Sequence, residues 1–335
     1  MKKTLLGLAA LTLLCATATP AGVLEPAVQE VLATGSVPAP LPVIIQFREQ
    51  VDVEAVRREA RQVAREMYPD DPKKRKQARR KLVRKMLVKA LKHTARDSGN
   101  RVRRFLKANG VNPKLKLLWV RNAVVGEVPA GLLEGLAGLP EVDRIILDVT
   151  IQGPGTGIVP TAPTYWNLDA TGAPTVWLTG NTGQDVVVAT LDTGADATHP
   201  DLGPRWRGGD NSWFDPYGEH ASPADLNGHG TRVLGLIVGG DAGGIQVGMA
   251  PGAQWIAAKI FDDANQATLS GIHEAFQWVL DPDRDPLTDD APDIVNNSWD
   301  LANSVNQCIQ EFAPDIALLQ AAEIAVAFAG GNYGP

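Results

Sequence analysis

Two short motifs in the second half of the sequence carry side chains that can exchange a proton. Asp192-Thr193-Gly194 directly follows Val186 to Leu191, an apolar run with the length of a buried strand. Asn227-Gly228-His229-Gly230-Thr231 opens a segment of helical periodicity, and its glycines let the backbone come close to whatever His229 contacts. A carboxylate that orients an imidazole provides two members of a Ser-His-Asp site, in which the imidazole takes a proton from a serine and returns it to a leaving amine.

The same aspartate motif has a second interpretation. An Asp-Thr-Gly segment is also a signature of aspartic proteases, but that chemistry needs two copies. The nearest second copy, Asp97-Ser98-Gly99, follows polar residues and not an apolar strand. This pattern argues against a pair of catalytic aspartates.

A metal site built on Asp192 and His229 is a third interpretation. It would need further ligands, for which His199, His220 and Asp201 are available. The glycines around His229 favour the proton-transfer pair over the metal site. The other histidines are interpreted as surface or packing residues (His93 and His273) or as part of a structural turn (His199).

The elements that must position the two motifs alternate between strands and helices. Apolar runs of strand length recur at Ala253 to Phe261 and at Ile324 to Ala329, and helical periodicity at His229 to Val238 and Ser270 to Leu280. Strands that are apolar on both faces suit a sheet that is covered on both sides. We therefore predict an α/β fold with a mainly parallel sheet and helices on both faces, in which chemistry gathers at the carboxyl ends of the strands.

In this order, the motifs resemble those of the subtilase family of subtilisin-like serine proteases, and above all its bacillopeptidase-F-like group. The resemblance covers roughly residues 165–335. It is carried by Val188 to Gly194 with His199-Pro200-Asp201-Leu202 and His229-Gly230-Thr231, and then by Gly248 to Ala253, Asn296 to Trp299 and Ala329 to Asn332.

The resemblance implies a set of functional residues and a polypeptide substrate. Asp192 and His229 would be members of the catalytic triad, and the Asn332 side chain would donate to the oxyanion. The substrate would pair as an extended strand with two segments of the chain, Ser298–Trp299 and Asn265, Gln266 and Ala267. No cofactor is required for this chemistry.

The sequence also departs from the family pattern. The family's nucleophilic serine lies in a Gly-Thr-Ser-Met-Ala segment, which this sequence does not contain; the serines after His229 are Ser270, Ser298 and Ser304, and none has that setting. We therefore expect the catalytic region to be incomplete at its C-terminus and this chain to be inactive by itself.

Two further departures affect the substrate pocket and the metal content. Asp300 stands where the family often has glycine in the wall of the S1 pocket. Asp201 matches a family calcium ligand, but Ala242 stands near the place of a common asparagine ligand, so calcium is only an optional cofactor.

Charge is divided unevenly along the chain. Residues 1–154 contain 27 Lys and Arg against 15 Asp and Glu, a net charge of +12, and residues 155–335 contain 5 against 23, a net charge of −18. The basic residues concentrate between Arg48 and Lys116, where they could form a solvated helix face, bind nucleic acid, or dock on the acidic half of the chain. Docking is favoured because it accounts for both halves, and complementary charge fixes orientation.

The basic half reads as a small α+β unit. We predict a strand at Leu41 to Phe47, helices at Val51 to Tyr68 and Pro72 to Ala108, and one bent strand or two from Lys116 to Val128. A short helix at Pro129 to Leu139 and a strand at Val142 to Ile151 follow, which gives the order β-α-α-β-β-α-β. This unit resembles the family's prodomain, an intramolecular chaperone and temporary inhibitor.

The N-terminus and the boundaries complete the predicted organisation. Lys2-Lys3, the apolar run Leu5 to Cys15 and the small residues that follow are typical of a secretory signal peptide, with cleavage after Ala18 or Ala21. We predict a signal peptide at residues 1–21, a linker and basic prodomain at 22–152, with residues 23–42 as the linker, and a catalytic region at 153–335 that begins with the Gly- and Pro-rich linker 152–164. Cys308 is then the one cysteine of the exported chain, either buried or paired outside this sequence.

Two functions are consistent with these features. The first is a secreted serine endopeptidase made as a precursor, without nucleic-acid or membrane partners. The second is a secreted product without catalysis that acts as a binding or inhibitory protein through its prodomain.

Overall fold

The computed structural model describes residues 22–33, 40–112, 114–155, 166–301 and 309–332. The predictions for the signal peptide, for most of the linker 152–164, and for Ser304 and Cys308 lie outside the described residues. No helix within the described ranges is both long enough and apolar enough to span a membrane.

The first half of the chain forms a five-stranded sheet with helices against it. Its elements in chain order are β1 (Val23–Leu24), α1 (Pro26–Ala33), β2 (Leu41–Phe47), α2 (Val53–Met67), α3 (Pro72–Ala108), β3 (Lys116–Leu118), β4 (Ala123–Val128), α4 (Leu133–Ala137), β5 (Val142–Leu147) and β6 (Thr150–Gln152). The sheet order is β1-β5-β2-β4-β3, antiparallel except for β1 against β5. Its core lies between the sheet, α4 and the C-terminal part of α3.

The predicted order of strands and helices is present, with three differences in detail. Residues 23–42 were predicted as a linker, but they contain β1 and α1, because Val23–Leu24 pair with β5 and Val28 is buried in the core. The segment Lys116–Val128 is two strands, which a turn of 3₁₀ helix at Trp119–Arg121 and the left-handed Asn122 separate. The strand predicted from Val142 to Ile151 ends at Leu147, and Thr150–Gln152 pair with a different sheet partner.

The second half contains the predicted parallel sheet. Its elements are α5 (Trp166–Thr171), α6 (Ala173–Trp177), β7 (Val187–Asp192), β8 (Trp213–Phe214), α7 (His229–Val238), β9 (Gln254–Lys259), β10 (Gln266–Thr268), α8 (Leu269–Leu280), β11 (Ile294–Asn297), α9 (Ala313–Ala321) and β12 (Ala325–Phe328). The sheet order is β12-β11-β7-β9-β8, and every pairing in it is parallel. β10 lies outside this sheet and pairs antiparallel with β6.

Both faces of the parallel sheet are covered. Alternate residues of the central strands point to opposite sides, as the pleat requires. Val188 and Trp255 pack with residues of α7, whereas Ala189 and Ile256 pack with residues of α8 and α9. The predicted α/β fold class is therefore confirmed.

Helix α3 connects the two halves of the chain. It begins at Pro72 because the Asp71 carboxylate accepts from the Lys74 N–H at 2.9 Å, and Gly110 follows its end with a φ of 76°. Its middle part, including Leu87 and Leu91, belongs to the same apolar cluster as α8 and α9. Around this contact, basic residues of the first half pair with acidic residues of the second: Arg79 with Glu323, Arg80 with Asp293, Lys81 and Arg84 with Asp289, Lys92 with Asp281, and Lys116 with Glu274.

Candidate active site

Asp192 and His229, predicted from two separate motifs, lie side by side. Asp192 is the last residue of β7, at the carboxyl end of a central strand, and His229 is the first residue of α7. His229 Nδ1 lies 2.7 Å from Asp192 Oδ1. The carboxylate is fully buried, whereas the imidazole remains 22% exposed. A buried acceptor on Nδ1 fixes the tautomer that leaves Nε2 as a base.

Glycines make this approach sterically possible. A Cβ on Gly230 would lie 3.1 Å from the Asp192 Cβ and would overlap the Gly194 carbonyl oxygen. Gly194 itself has a φ of 135°, a conformation that residues with a Cβ rarely adopt. The first turn of α7 can therefore rest directly on the end of β7.

The Asp192 carboxyl is held in an unfavourable environment for its charge. Burial raises the pKa of Asp192 above its ordinary value, and the hydrogen bonds from His229 and from the Thr193 N–H act in the opposite direction. Asp192 Oδ2 is buried without a hydrogen-bond partner. The ionised form of Asp192 is most stable beside a positively charged imidazole. His229 carries that charge after it has taken up a proton.

Asp225 braces the site and was not recognised in the sequence. Its Oδ1 accepts from the Thr193 hydroxyl at 2.9 Å and the Gly228 N–H at 2.8 Å, and its Oδ2 accepts from the N–H and hydroxyl of Thr231. The Thr193 hydroxyl in turn accepts from the Gly230 N–H at 2.9 Å. Asp225 lies in an irregular loop before Gly228, and no local pattern in the sequence marks it for this role.

The segment Asn265–Ala267, predicted to bind substrate, is paired with the chain itself. Gln266 and Ala267 belong to β10, which lies antiparallel to β6, with Gln266 opposite Gln152 and Ala267 opposite Ile151. The Asn265 carbonyl accepts from the Gly153 N–H at 2.7 Å.

The paired segment then runs towards the imidazole. The Pro154 carbonyl accepts from Asn265 Nδ2 at 3.0 Å and from Asn227 Nδ2 at 3.3 Å. Asn227 Oδ1 accepts from the His229 N–H at 3.2 Å. An extended stretch of the polypeptide thus lies against β10 and reaches the loop that carries His229.

The remaining predicted residues lie on the other side of β7. The substrate-binding residues Ser298 and Trp299 follow β11, and the oxyanion residue Asn332 follows β12. β11 ends at Asn297, so Ser298 and Trp299 follow the strand and are not part of it. The Trp299 ring is buried against Phe312 and Phe328, at centroid distances of 5.5 and 5.4 Å, so only its main chain is available to a substrate. Asn332 is exposed beyond β12. No contact joins Asn332 to the Asp192–His229 pair among the described residues.

The residues considered for metal binding do not assemble around the pair. Asp201 Oδ1 accepts from the Ala242 N–H at 2.7 Å, and Asp201 is absent from the one group of three carboxylate or histidine ligands found among the described residues, Glu219, His220 and Asp263. Lys259 Nζ lies 2.8 Å from Glu219 and 3.0 Å from Asp263, so a buried ammonium offsets the charge of one of the two carboxylates. We derive no chemistry from a bound cation.

The aspartic-protease interpretation is wrong. Asp97-Ser98-Gly99 lies inside α3, where Asp97 faces solvent and pairs with His93 at 3.2 Å. A helix surface cannot place this carboxylate opposite Asp192 at a shared site. His199 is also remote from the pair, since its Nδ1 accepts from the Asp201 N–H within its own turn.

A buried carboxylate and an imidazole, joined in this way at the carboxyl end of a parallel sheet, have the geometry expected of the Asp and His members of a Ser-His-Asp site. The sequence agrees, because residues 183–335 match the profile of the subtilase family.

Individual relatives follow the same pattern. The chain is 29% identical over 277 residues to bacillopeptidase F of Bacillus subtilis (strain 168), which covers 74% of this chain and 19% of that protein. It is 37% identical over 90 residues to the major intracellular serine protease of the same organism, covering 25% of this chain and 28% of the relative. The chain therefore spans about a fifth of the length of bacillopeptidase F.

Solved structures show the same fold. The epidermin leader peptide processing serine protease of Staphylococcus aureus superposes with a TM-score of 0.55 at 14% identity, over 88% of this chain and 61% of that chain. At this level of identity, the likeness concerns the fold alone.

Proposed function

We propose that the chain is the precursor of a secreted serine endopeptidase in which Asp192 and His229 are two members of the triad. The observation that carries the proposal is the 2.7 Å contact between the His229 Nδ1 and the fully buried Asp192 carboxylate. Among the described residues, no serine hydroxyl is hydrogen-bonded to His229. The nucleophilic hydroxyl is therefore assigned to sequence outside the described residues.

In this mechanism the residues of the chain transfer one proton and stabilise the charges that form during the transfer. His229 Nε2 takes the proton of the attacking hydroxyl and later returns it to the leaving amine. Asp192 keeps Nδ1 protonated and stabilises the imidazolium, while Asn332 would donate to the developing oxyanion. The proposed chemistry requires no cofactor.

The first half of the chain is proposed to act as a prodomain that docks on the acidic half. The pairing of Thr150–Gln152 with β10 supports this role, as do the ion pairs along α3. Buried Arg84 supports it most strongly, since its guanidinium donates to three carbonyl oxygens of the second half as well as to Asp289. The same proposal includes export of the chain, with residues 1–21 as its signal peptide, because a precursor of this kind matures outside the cytoplasm.

The test is covalent labelling of the nucleophile in the protein expressed from its complete gene. We expect a fluorophosphonate probe to label the wild-type protein, and His229→Ala to reduce labelling and release of residues 1–152 by at least about a thousand-fold. His93→Ala is the matched control, because His93 is 78% exposed on α3 and, among the described residues, its ion pair is with Asp97. Equal labelling of the wild type and His229→Ala would sink the proposal.

The alternative function is a secreted inhibitory protein without catalysis. The observation that favours it is the occupation of β10 by the chain's own β6. A folded wild-type protein that takes up no probe but inhibits an added bacterial subtilase would support this alternative.

A further inference from the structure

One position beside the candidate active site has no room for a side chain. A Cβ built on Gly153 would overlap Asn265 Oδ1, and it would lie 2.7 Å from Phe261 Cδ1 and 2.9 Å from Asn265 Cγ. Carbon contacts of this length do not occur in folded proteins, so something must shift. We call the surface formed by Phe261 and Asn265 the glycine subsite.

The direction of this Cβ follows from the strand. Residues two apart in an extended chain point to the same side. Ile151 packs against the apolar cluster that contains Phe261 and Ala267, so Gly153 faces the same core and not the solvent. A side chain at position 153 cannot escape outward while the segment keeps its pairing with β10.

The walls of the glycine subsite are held in place. The Phe261 ring is fully buried, and the Phe261 carbonyl accepts from the buried Lys259 ammonium at 2.8 Å. Asn265 has a φ of 61° and closes a tight turn, in which the Asn265 N–H donates to the Asp262 carbonyl at 2.9 Å. Asp262 is tied to this turn a second time, because its Oδ1 accepts from the Gln266 N–H at 2.8 Å.

Tyr217 also stabilises the turn that contains Asn265. Its hydroxyl donates to the Ile260 carbonyl at 2.9 Å and accepts from the Thr268 N–H at 3.1 Å, which joins the two ends of the turn. Burial raises the pKa of Tyr217 to about 12, so the hydroxyl keeps its proton and this donor. The backbone of this turn is therefore held by bonds that do not involve the occupying segment, whereas the Asn265 side chain is held by its bond to the Pro154 carbonyl.

The segment that occupies the subsite has the form of a bound polypeptide. It is extended, it pairs antiparallel with β10, and its Pro154 carbonyl is held by Asn227, two residues before His229. Any extended polypeptide that takes the same place brings one residue against Phe261 and Asn265.

From this geometry we propose that the glycine subsite selects polypeptide substrates with glycine at the residue that replaces Gly153. The inference rests on the proposed function, since it concerns the substrate of that site. Phe261 and Asn265 are its specificity-determining residues. Alanine or any larger residue at this position would have to displace a buried ring and turn the Asn265 side chain away from the Pro154 carbonyl.

The first test does not depend on catalysis. We expect Gly153→Ala to accelerate hydrogen exchange in the segment 150–155 by at least about ten-fold, the cost of one overpacked methyl group. Gly155→Ala is the matched control, because a Cβ at that position meets nothing within 4 Å. Asn265→Gly removes two of the three obstructing atoms and suits the positive φ, so Gly153→Ala/Asn265→Gly should recover most of the protection.

Two results of the exchange experiment would overturn the inference. One is a hydrogen-exchange rate in Gly153→Ala equal to that of the wild type, which would mean that the subsite admits a methyl group. The other is an equal loss in Gly155→Ala, which would mean that the segment is sensitive to any substitution. Thermal unfolding of each variant checks that the rest of the chain remains folded.

The second test uses peptides that follow the sequence of residues 148–155, extended by a cleavable residue and a reporter, with Gly, Ala or Val at the position of Gly153. The protein expressed from its complete gene should cleave the glycine peptide at least about ten-fold faster than the alanine peptide. Equal cleavage of the two would overturn the inference and leave the proposed function intact. Absence of all cleavage, together with the expected exchange result, would overturn the proposed function and leave the glycine subsite intact.

Discussion

At the scale of single residues, the site combines two groups whose burial differs sharply. Asp192 is fully buried, while the His229 ring is partly open to solvent. The structure thus places the Asp192 carboxylate, which accepts the hydrogen bond, in the interior, and the His229 imidazole, which exchanges protons, at the surface. Burial of the acceptor has an energetic cost, because it raises the pKa of Asp192 and so disfavours its ionised form.

This cost leads to a prediction about pH. A carboxyl whose pKa is raised on folding contributes most to stability below its unfolded pKa, and this contribution is lost as the pH rises through the folded pKa. Asp192→Asn keeps an acceptor for the His229 and Thr193 N–H groups but has no charge to bury. We expect its urea midpoint at pH 7 to equal or exceed that of the wild type, although probe labelling falls by about ten thousand-fold.

Asp196 provides a control of opposite sign. The hydrogen bond from the Thr198 hydroxyl lowers the pKa of Asp196, so its ionised form stabilises the fold above its unfolded pKa. Asp196→Asn should therefore lower the urea midpoint at neutral pH. A larger loss in Asp192→Asn than in Asp196→Asn would contradict this account of the site.

The sequence was sufficient to predict the Asp192–His229 pair but not the residues that support it. Both members lie at the ends of strongly patterned elements and within glycine-rich motifs, so their meeting follows from the α/β fold. Asp225 lies in an irregular loop where no periodicity marks it. Whether it would face Thr193 depends on the loop's path, which local pattern does not determine.

At the scale of elements, helix α3 joins the two halves of the chain through apolar contacts and ion pairs. Its first and last residues could be predicted because the Asp71–Pro72 and Gly110 signals are local. The break after Leu147 could not be predicted, because the partner of β6 is β10, which lies far along the chain. The burial of Trp299 likewise depends on Phe312 and Phe328, which come from separate elements.

Arg84 is predicted to dominate the α3 contact. Its guanidinium is 6% exposed and donates to the carbonyls of Ala322, Ala291 and Pro292. Arg84→Ala leaves these three carbonyl acceptors without their donor in a buried place, and should lower the free energy of unfolding by about 3–5 kcal/mol.

Lys81 is the matched control for this prediction. It contacts the same Asp289 at 3.4 Å but is 64% exposed, so Lys81→Ala should cost at most about 1 kcal/mol. Both values can be measured by urea denaturation. Similar losses in the two variants would show that exposed charge, and not buried hydrogen bonding, holds α3 in place.

At the scale of the whole molecule, a charged network buried between the halves couples stability to pH. His273 lies 3.1 Å from Asp315 and 3.2 Å from Glu311, and Arg121 of the first half lies 3.3 Å from Glu311. Burial acts to lower the pKa of His273, but the charge of Asp315 and the hydrogen bonds to the two acids outweigh it and raise the pKa above 6.5. Burial acts to raise the pKa of Glu311, but His273 and Arg121 outweigh it and lower the pKa below 4.5.

The network is therefore predicted to stabilise the chain most between pH 4.5 and 6.5. The histidine contribution is lost as the pH rises through the folded pKa of His273, and the carboxylate contribution is lost as the pH falls through the folded pKa of Glu311. In His273→Gln, the loss of urea resistance above pH 6.5 should disappear, while the loss on the acid side should become smaller, because Arg121 but no longer the imidazole acts on Glu311. His93→Gln, on the exposed face of α3, should retain both; persistence of the alkaline loss in His273→Gln would contradict the prediction.

The pairing of Thr150–Gln152 with β10 also has a consequence for competition. Because both strands belong to one chain, their encounter does not weaken on dilution, and a short tether sets an effective concentration on the order of millimolar. A free polypeptide present at micromolar levels would displace this strand only if it bound about a thousand-fold more tightly. Cutting the tether would remove that advantage, and the strand would then keep its place only through the non-covalent contacts between the two halves, which a competing molecule can outlast once the cleaved part dissociates and is diluted.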